Sequence, residues 1–151
     1  MVKVKYCLAC SVGGHLRELM QLEEFYKDKN HFFLTFKRPN SLQLSITDKV
    51  YFVIDPKRNP FKFLINLIQS AKVFFKERPD AVITTGAGVA FPISLLARIF
   101  GKKVVYIESF CRIDSPSWSG RFFYPIASLF LVQWPKQKKF FKKSKYFGAV
   151  F

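Results

Sequence analysis

The sequence predicts an α/β fold, a single Rossmann-like doubly wound parallel sheet, and three observations predict it. Short β-rich runs alternate with helical patterns along all 151 residues. Several of those runs are apolar on both faces, as parallel strands covered by helices must be. Two strand ends run into glycine turns that open helices, Ser11-Val12-Gly13-Gly14-His15 and Thr85-Gly86-Ala87-Gly88. The length is that of one ordinary domain with one core, so residues 1–151 are read as a single domain.

In chain order, strands are expected at Lys3–Cys10, His31–Phe36, Lys49–Ile54, Ala81–Thr85, Lys103–Glu108 and Phe130–Gln133. Helices are expected at His15–Tyr26, Pro60–Lys76, Val89–Phe100, Gly120–Leu129 and Lys136–Lys143. Lys37–Thr47 carries Pro39, Asn40 and several polar residues and reads as a mobile loop over the sheet edge. The closing residues Phe147 to Phe151 read as a short edge strand. Cys7 and Cys10 stand three apart in one strand, hence on opposite faces, and read as buried reduced thiols; Cys111 has no base beside it to activate it.

The longest uncharged stretch, Ala81 to Ala97, holds Gly86, Gly88 and Pro92, and a membrane span needs roughly 18 or more apolar residues. The run from Met1 to Cys10 is too short for a signal peptide. A cytoplasmic protein is therefore expected. A net charge of +15 alongside 19 phenylalanines calls for an anionic partner: nucleic acid, an anionic membrane or a phosphate-bearing substrate.

Three places carry candidate chemistry. At Ser11 to His15, Gly13 and Gly14 let the backbone approach a phosphate or sugar, and His15 either takes a proton from a sugar hydroxyl or only caps its helix. The spacing departs from G-x-G-x-x-G, and the second strand ends in Thr35-Phe36-Lys37-Arg38 without the acid a dinucleotide site wants. The second turn either adds Thr85, Gly86 and Gly88 to the same expected crevice or only turns the chain tightly from strand to helix. The third place is Glu108-Ser109 with Arg112: Glu108 holds a hydroxyl, acts as a base or pairs with Arg112, and Arg112 otherwise meets phosphate. With no Asp-x-Asp and only two histidines, no metal site is expected.

Taken together, these motifs resemble a known family. The chain is similar to the PssD/CpsF-type bacterial polysaccharide proteins and to their eukaryotic relative, the membrane-recruiting subunit of the two-chain N-acetylglucosaminyltransferase of dolichol-linked oligosaccharide synthesis. Besides the glycine turns, the resemblance rests on Tyr106-Ile107-Glu108-Ser109 with Arg112 and on Ser117-Trp118-Ser119-Gly120-Arg121. It is completed by Tyr124-Pro125, Leu131-Val132-Gln133-Trp134-Pro135 and Tyr146-Phe147-Gly148. It implies the amino-terminal, acceptor-side half of a split GT-B glycosyltransferase of cell-surface polysaccharide synthesis, weak or inactive alone. The nucleotide sugar, a UDP-sugar, is expected on a partner chain, with no cofactor on this one. The lipid-linked diphosphate acceptor is then expected on Ser11, Gly13, Gly14, Thr85, Gly86, Gly88, Ser109 and Arg112. His15 or Glu108 is the candidate base.

The eukaryotic subunit begins with a membrane helix that is not found in this sequence, so attachment at the inner face of the membrane is expected to be peripheral or to come through the partner. The pattern after Pro60 groups Phe63, Leu64, Leu67, Ile68, Ala71, Phe74 and Phe75 on one face, with Lys62, Asn66, Gln69, Lys72 and Lys76 opposite. The apolar face meets either a bilayer or the sheet. Lys136, Lys139, Lys142 and Lys143 beside Phe140 and Phe141 form either an anionic-lipid contact or a solvated helix. Three rival readings are a non-catalytic activator of the partner, a nucleic-acid module with exposed sheet aromatics, and an oxidoreductase; the last two are disfavoured by covered strands and the missing acid.

Overall fold

The computed structural model describes residues 3–151; Met1 and Val2 of the amino-terminal run lie outside the described residues. Six strands form one sheet: β1 (Lys5–Cys10), β2 (Asn30–Thr35), β3 (Val50–Phe52), β4 (Ala81–Gly86), β5 (Lys103–Ile107) and β6 (Leu129–Leu131). All neighbours are parallel and the order is β3-β2-β1-β4-β5-β6. The direction of winding reverses between β1 and β4, so a crevice opens beyond their carboxyl ends. The expected doubly wound sheet is the one observed.

β4 lies at the centre and every one of its residues is buried, as its unbroken apolar and small-polar run requires. Side chains alternate between two cores. Cys7, Phe32, Val82 and Tyr106 belong to one, and Leu8, Cys10, Phe33 and Ile107 to the other. Cys7 and Cys10 are thus buried free thiols on opposite faces, and burial pushes both well above the usual thiol range.

Helices cover both faces: α1 (Gly14–Met20), α2 (Glu23–Tyr26), α3 (Pro39–Thr47), α4 (Pro60–Glu77), α5 (Phe91–Ile99) and α6 (Trp118–Phe123). The expected helix His15–Tyr26 is broken at Gln21 and Leu22, where bonds such as Leu22 N–H to the Leu19 carbonyl tighten the turn. The expected loop Lys37–Thr47 is largely α3. Pro39 occupies the first helical position, where its missing N–H costs nothing, and the Ser41 hydroxyl accepts from Arg38 N–H at 2.9 Å. The expected edge strand 147–151 does not form. Lys145 makes a single bridge to Leu131, and Val150 N–H donates to the Gln133 side chain at 2.7 Å. The expected helix Lys136–Lys143 reduces to a 3-10 turn, Pro135–Lys139, and the expected helix Gly120–Leu129 stops at Phe123, before Pro125.

The sharpest correction concerns α4. Its buried line is Asn66, Ser70, Val73, Phe74 and Glu77, while Phe61, Leu64, Ile65, Ile68 and Phe75 are exposed. Polar anchors turn the helix this way. Asn66 Nδ2 donates to the Ile54 carbonyl at 2.7 Å, Ser70 donates to Asn66 at 2.9 Å, and Gln69 accepts from Ile54 N–H. Each is a backbone or amide group that would be left unpaired by a different rotation.

At the last turn of α4, the Glu77 carboxylate receives Lys49 at 2.6 Å, Lys5 at 3.2 Å and the Tyr51 hydroxyl. Burial raises its pKa, but the bonds from Lys49, Tyr51 and Lys5 outweigh burial and hold it down at about 2. A depressed folded-state value stabilises above the unfolded pKa and is lost as pH falls through the folded one. Urea titrations should therefore show roughly 2 kcal/mol lost between pH 5 and pH 2, allowing for the solvent around Lys49, and Glu77→Gln should flatten that dependence.

Candidate functional site

The carboxyl ends of β1, β4 and β5 deliver three segments to one crevice. After β1, Gly13 has φ +82°, a value its lack of Cβ permits, and the chain enters α1 beside the half-buried Ser11. After β4, Gly86 has φ +105°, and Ala87, at φ +79° and ψ 154°, stands in a region that is strained for any side chain. Ser119 accepts from Ala87 N–H at 3.1 Å and so helps to hold the strained turn. The Thr85 hydroxyl donates to the His15 carbonyl at 2.9 Å, which ties the two glycine turns together across 70 residues. Gly14 and Gly88 are exposed at the turns.

His15 has its Nδ1 buried without a hydrogen-bond partner, 3.9 Å from a Glu18 oxygen that also lacks one. Its ring is one-third exposed, which leaves Nε2 as the nitrogen available to a ligand. The other Glu18 oxygen accepts from the Ser109 hydroxyl at 2.8 Å and from Phe110 N–H at 3.0 Å. Glu18 therefore connects α1 to the segment after β5. Sequence reasoning passed over it, although His15 and Glu18 stand at i and i+3, neighbours on any helix.

Glu108 is 1% exposed. Its two oxygens accept from the Tyr106 and Ser117 hydroxyls and from the backbone N–H groups of Ser109 and Ser117. A carboxylate used in this way fixes the 109–117 segment. The pairing with Arg112 does not occur among the described residues: Arg112 is exposed, and its carbonyl accepts from Gln137 at 2.6 Å. The tail motif buttresses the same segment, with Trp134 Nε1 donating to the Phe110 carbonyl at 2.8 Å.

The expected membrane residues do not form one surface: Phe63 lines a cavity with Ala87 and Gly88 of the crevice, and the lysines follow β6. Lys136, Lys139, Lys142 and Lys143 are exposed beyond β6 and do not share a helix face; Lys136 pairs with Asp114 at 3.3 Å. Phe63 is half-buried at the start of α4. Among the described residues, no helix is long and apolar enough to cross a membrane and no group of three or more metal-ligating side chains occurs.

The family model for oligosaccharide biosynthesis protein Alg14-like matches residues 56–150. The chain belongs to the Alg14-like family. It is 35% identical over 175 residues to the human UDP-N-acetylglucosamine transferase subunit ALG14, covering 91% of this chain and 79% of that one. The chain spans under half the length of the rat and fission yeast subunits of the same description. Acinetobacter baumannii MurG shares the fold at 19% identity with a TM-score of 0.71, over 87% of this chain and 42% of that one. A Rickettsia africae glycosyltransferase does so at 15% identity with a TM-score of 0.70, over 95% and 40%. The Alg14-like chain thus has the Rossmann-like fold found in part of each of those longer proteins.

Gly120 shows how closely the Ser117-Trp118-Ser119-Gly120 segment is fitted. A Cβ there would stand 2.5 Å from Glu108 Oε2 and 2.9 Å from the Phe141 ring. Gly120→Ala should lower stability by about 1–3 kcal/mol through overpacking, read as a fall in thermal midpoint.

Proposed function

We propose that this chain is the acceptor-side half of a two-chain glycosyltransferase that moves a sugar from a nucleotide donor to a lipid-linked diphosphate sugar. The observation that carries it is the His15–Glu18 pair at the switch point of a Rossmann-like half whose family includes transferase subunits. MurG extends well beyond the 42% that this fold matches, and a partner chain would supply the corresponding nucleotide-sugar half, the nucleotide being a UDP-sugar.

In this reading Nε2 of His15 takes the proton of the acceptor hydroxyl as its oxygen bonds the donor's anomeric carbon. The bond from that carbon to the nucleotide diphosphate breaks and the diphosphate leaves. Glu18 faces Nδ1, favours the tautomer with its proton there, and stabilises the imidazolium that forms. Ser11, Gly13, Gly14, Thr85, Gly86, Gly88 and Ser109 shape the acceptor wall, with Arg112 toward phosphate. Glu108 acts as a positioning group, since its oxygens are engaged and buried.

With the partner present, His15→Ala should cut turnover by roughly 10²–10⁴-fold. Glu18→Gln should lower it less. Unchanged turnover in both variants would favour the rival in which this chain only activates and anchors its partner.

The reading also includes peripheral attachment to an anionic membrane surface. It is supported by the exposed Phe61, Leu64, Ile65, Ile68 and Phe75 of α4, with the exposed Phe100 packed against Phe75. Lys62 and Lys76 stand at the edge of this patch and Lys72 within it. In vesicle flotation, Phe61→Ser with Leu64→Ser and Ile68→Ser should reduce binding at least tenfold. Changing Lys136, Lys139, Lys142 and Lys143 to Ser should remove mainly a salt-sensitive part. Flotation of the α4 variant at the wild-type level would exclude this face.

A further inference from the structure

Beside the glycine turn after β4 lies a cavity of about 570 Å³, within the ordinary range of small-molecule sites. Its wall is mostly apolar, with Phe63 from α4, Phe91 from α5, and Trp118, Phe122 and Phe123 from α6, beside Arg58, Asn59 and Ser119. Trp118 and Phe122 are 68% and 61% exposed, so two large aromatic side chains stand at its rim rather than filling it. Ala87 and Gly88 of the crevice line it, so the cavity begins where the proposed acceptor wall ends.

Charge is distributed unevenly around this space. The one ionisable residue on its lining is Arg58. Arg58 belongs to a turn in which it and Lys57 both adopt positive φ, 61° and 41°, closed by Asn59 N–H donating to the Pro56 carbonyl at 2.8 Å. The same turn walls a second groove of about 300 Å³, where Lys37, Arg38, Lys57 and Lys62 face the single acid Asp55. An apolar chamber thus adjoins a cationic one across six residues. A molecule complementary to both has a greasy chain joined directly to an anionic group.

We infer that this cavity is the subsite for the proximal part of the acceptor's apolar chain, with Arg58 meeting the diphosphate to which that chain is attached. The inference rests on the acceptor class proposed above and adds where the lipid lies: the chain passes from the Gly86–Gly88 turn between Phe63, Phe91 and Phe122. The exposed apolar side of α4 starts at Phe61 and Leu64, next to Phe63 of the lining, so the chain continues from the cavity toward a bilayer held by that side. A rim of exposed aromatics then has a purpose that core packing does not give it.

The test uses the full chain and direct binding, so it reads out even where no sugar transfer is detected. Trp118 is one of two tryptophans, and Trp134→Phe leaves it as the sole reporter. Farnesyl diphosphate, kept below its micelle concentration, should give a saturable change in Trp118 emission. Its apparent affinity should be at least tenfold tighter than that of inorganic diphosphate or farnesol measured by competition. Phe122→Ser should weaken it tenfold or more. Arg58→Asn, a residue that tolerates positive φ, should bring the diphosphate down to the level of farnesol. Circular dichroism on each variant confirms that the fold persists. The inference is overturned if inorganic diphosphate or farnesol binds as tightly as farnesyl diphosphate. It is equally overturned if emission responds only to phosphatidylglycerol vesicles, which would make the rim a membrane contact. A positive binding result with no transfer by the two-chain complex would sink the proposed reaction and leave the subsite standing.

Discussion

A carboxylate at the end of an apolar strand is costly to bury unless its lone pairs are taken up, and the crevice depends on how Glu108 meets that condition. Tyr106, two residues earlier on the same face of β5, offers one hydroxyl, and Ser117 offers another together with its N–H. Ser117 is also the residue that caps α6 by accepting from Gly120 N–H at 2.8 Å. One carboxylate therefore fixes where β5 ends, where α6 begins and how the segment between them is folded. From that segment Ser109 and Phe110 reach Glu18, whose other oxygen stands 3.9 Å from His15 Nδ1. The absence of a side chain at Gly120 follows from the same constraint, because the space a Cβ would need is occupied by Glu108. The ring of Tyr106 stacks between Phe123 and Phe130, at 5.0 and 4.6 Å, so the hydroxyl end of this network is anchored in the core. Burial pushes the Tyr106 hydroxyl well above its usual range, with the neighbouring Glu108 charge adding to that, and it remains a donor at any physiological pH.

The sheet was legible because parallel strands buried on both faces leave an uninterrupted apolar signal, and the two glycine turns marked where strands hand over to helices. The opposite-face placement of Cys7 and Cys10 followed from the two-residue period alone. The misreadings have a common cause: side chains that satisfy backbone groups outweighed hydropathy. Pro39 reads as a breaker until its place at the first position of α3 is known, and Ser41 then supplies the cap. In α4, grouping residues by apolarity put Asn66 outside, whereas the open carbonyl of Ile54 pulls it in and turns Ile65 and Ile68 outward. Glu108 drew attention as a rare acid in a basic chain, yet its burial depended on Ser117, nine residues away and across a loop. Glu18 was legible in principle from its i, i+3 spacing to His15, but its bonds to Ser109 and Phe110 span more than 90 residues and are set by tertiary structure.

The outward turn of α4 also changes what the basic charge is for. Most of the 25 Lys and Arg residues have no acidic partner, since the chain holds only 10 acids. Lysines spread over a solvated surface would give a diffuse field with no preferred face. Around α4 they border an apolar strip, and on the turn 55–60 they border an apolar chamber. A polynucleotide asks for aromatics along a charged track, whereas here the aromatics sit in a cavity and the charge sits beside it.

The buried polar anchors and the exposed apolar strip are therefore two consequences of one choice. A helix that packed its phenylalanines and isoleucines inward would gain burial energy, at roughly 25 cal/mol for each Å². It would then leave the end of β3 unpaired and close the space between α4 and α6. By fastening itself through Asn66, Gln69 and Ser70, α4 leaves Phe63 free to wall the cavity and holds Pro56 to Pro60 where Arg58 stands at its mouth. The stability given up on the outer face is what leaves this domain an exposed apolar strip and, beside its crevice, an open chamber.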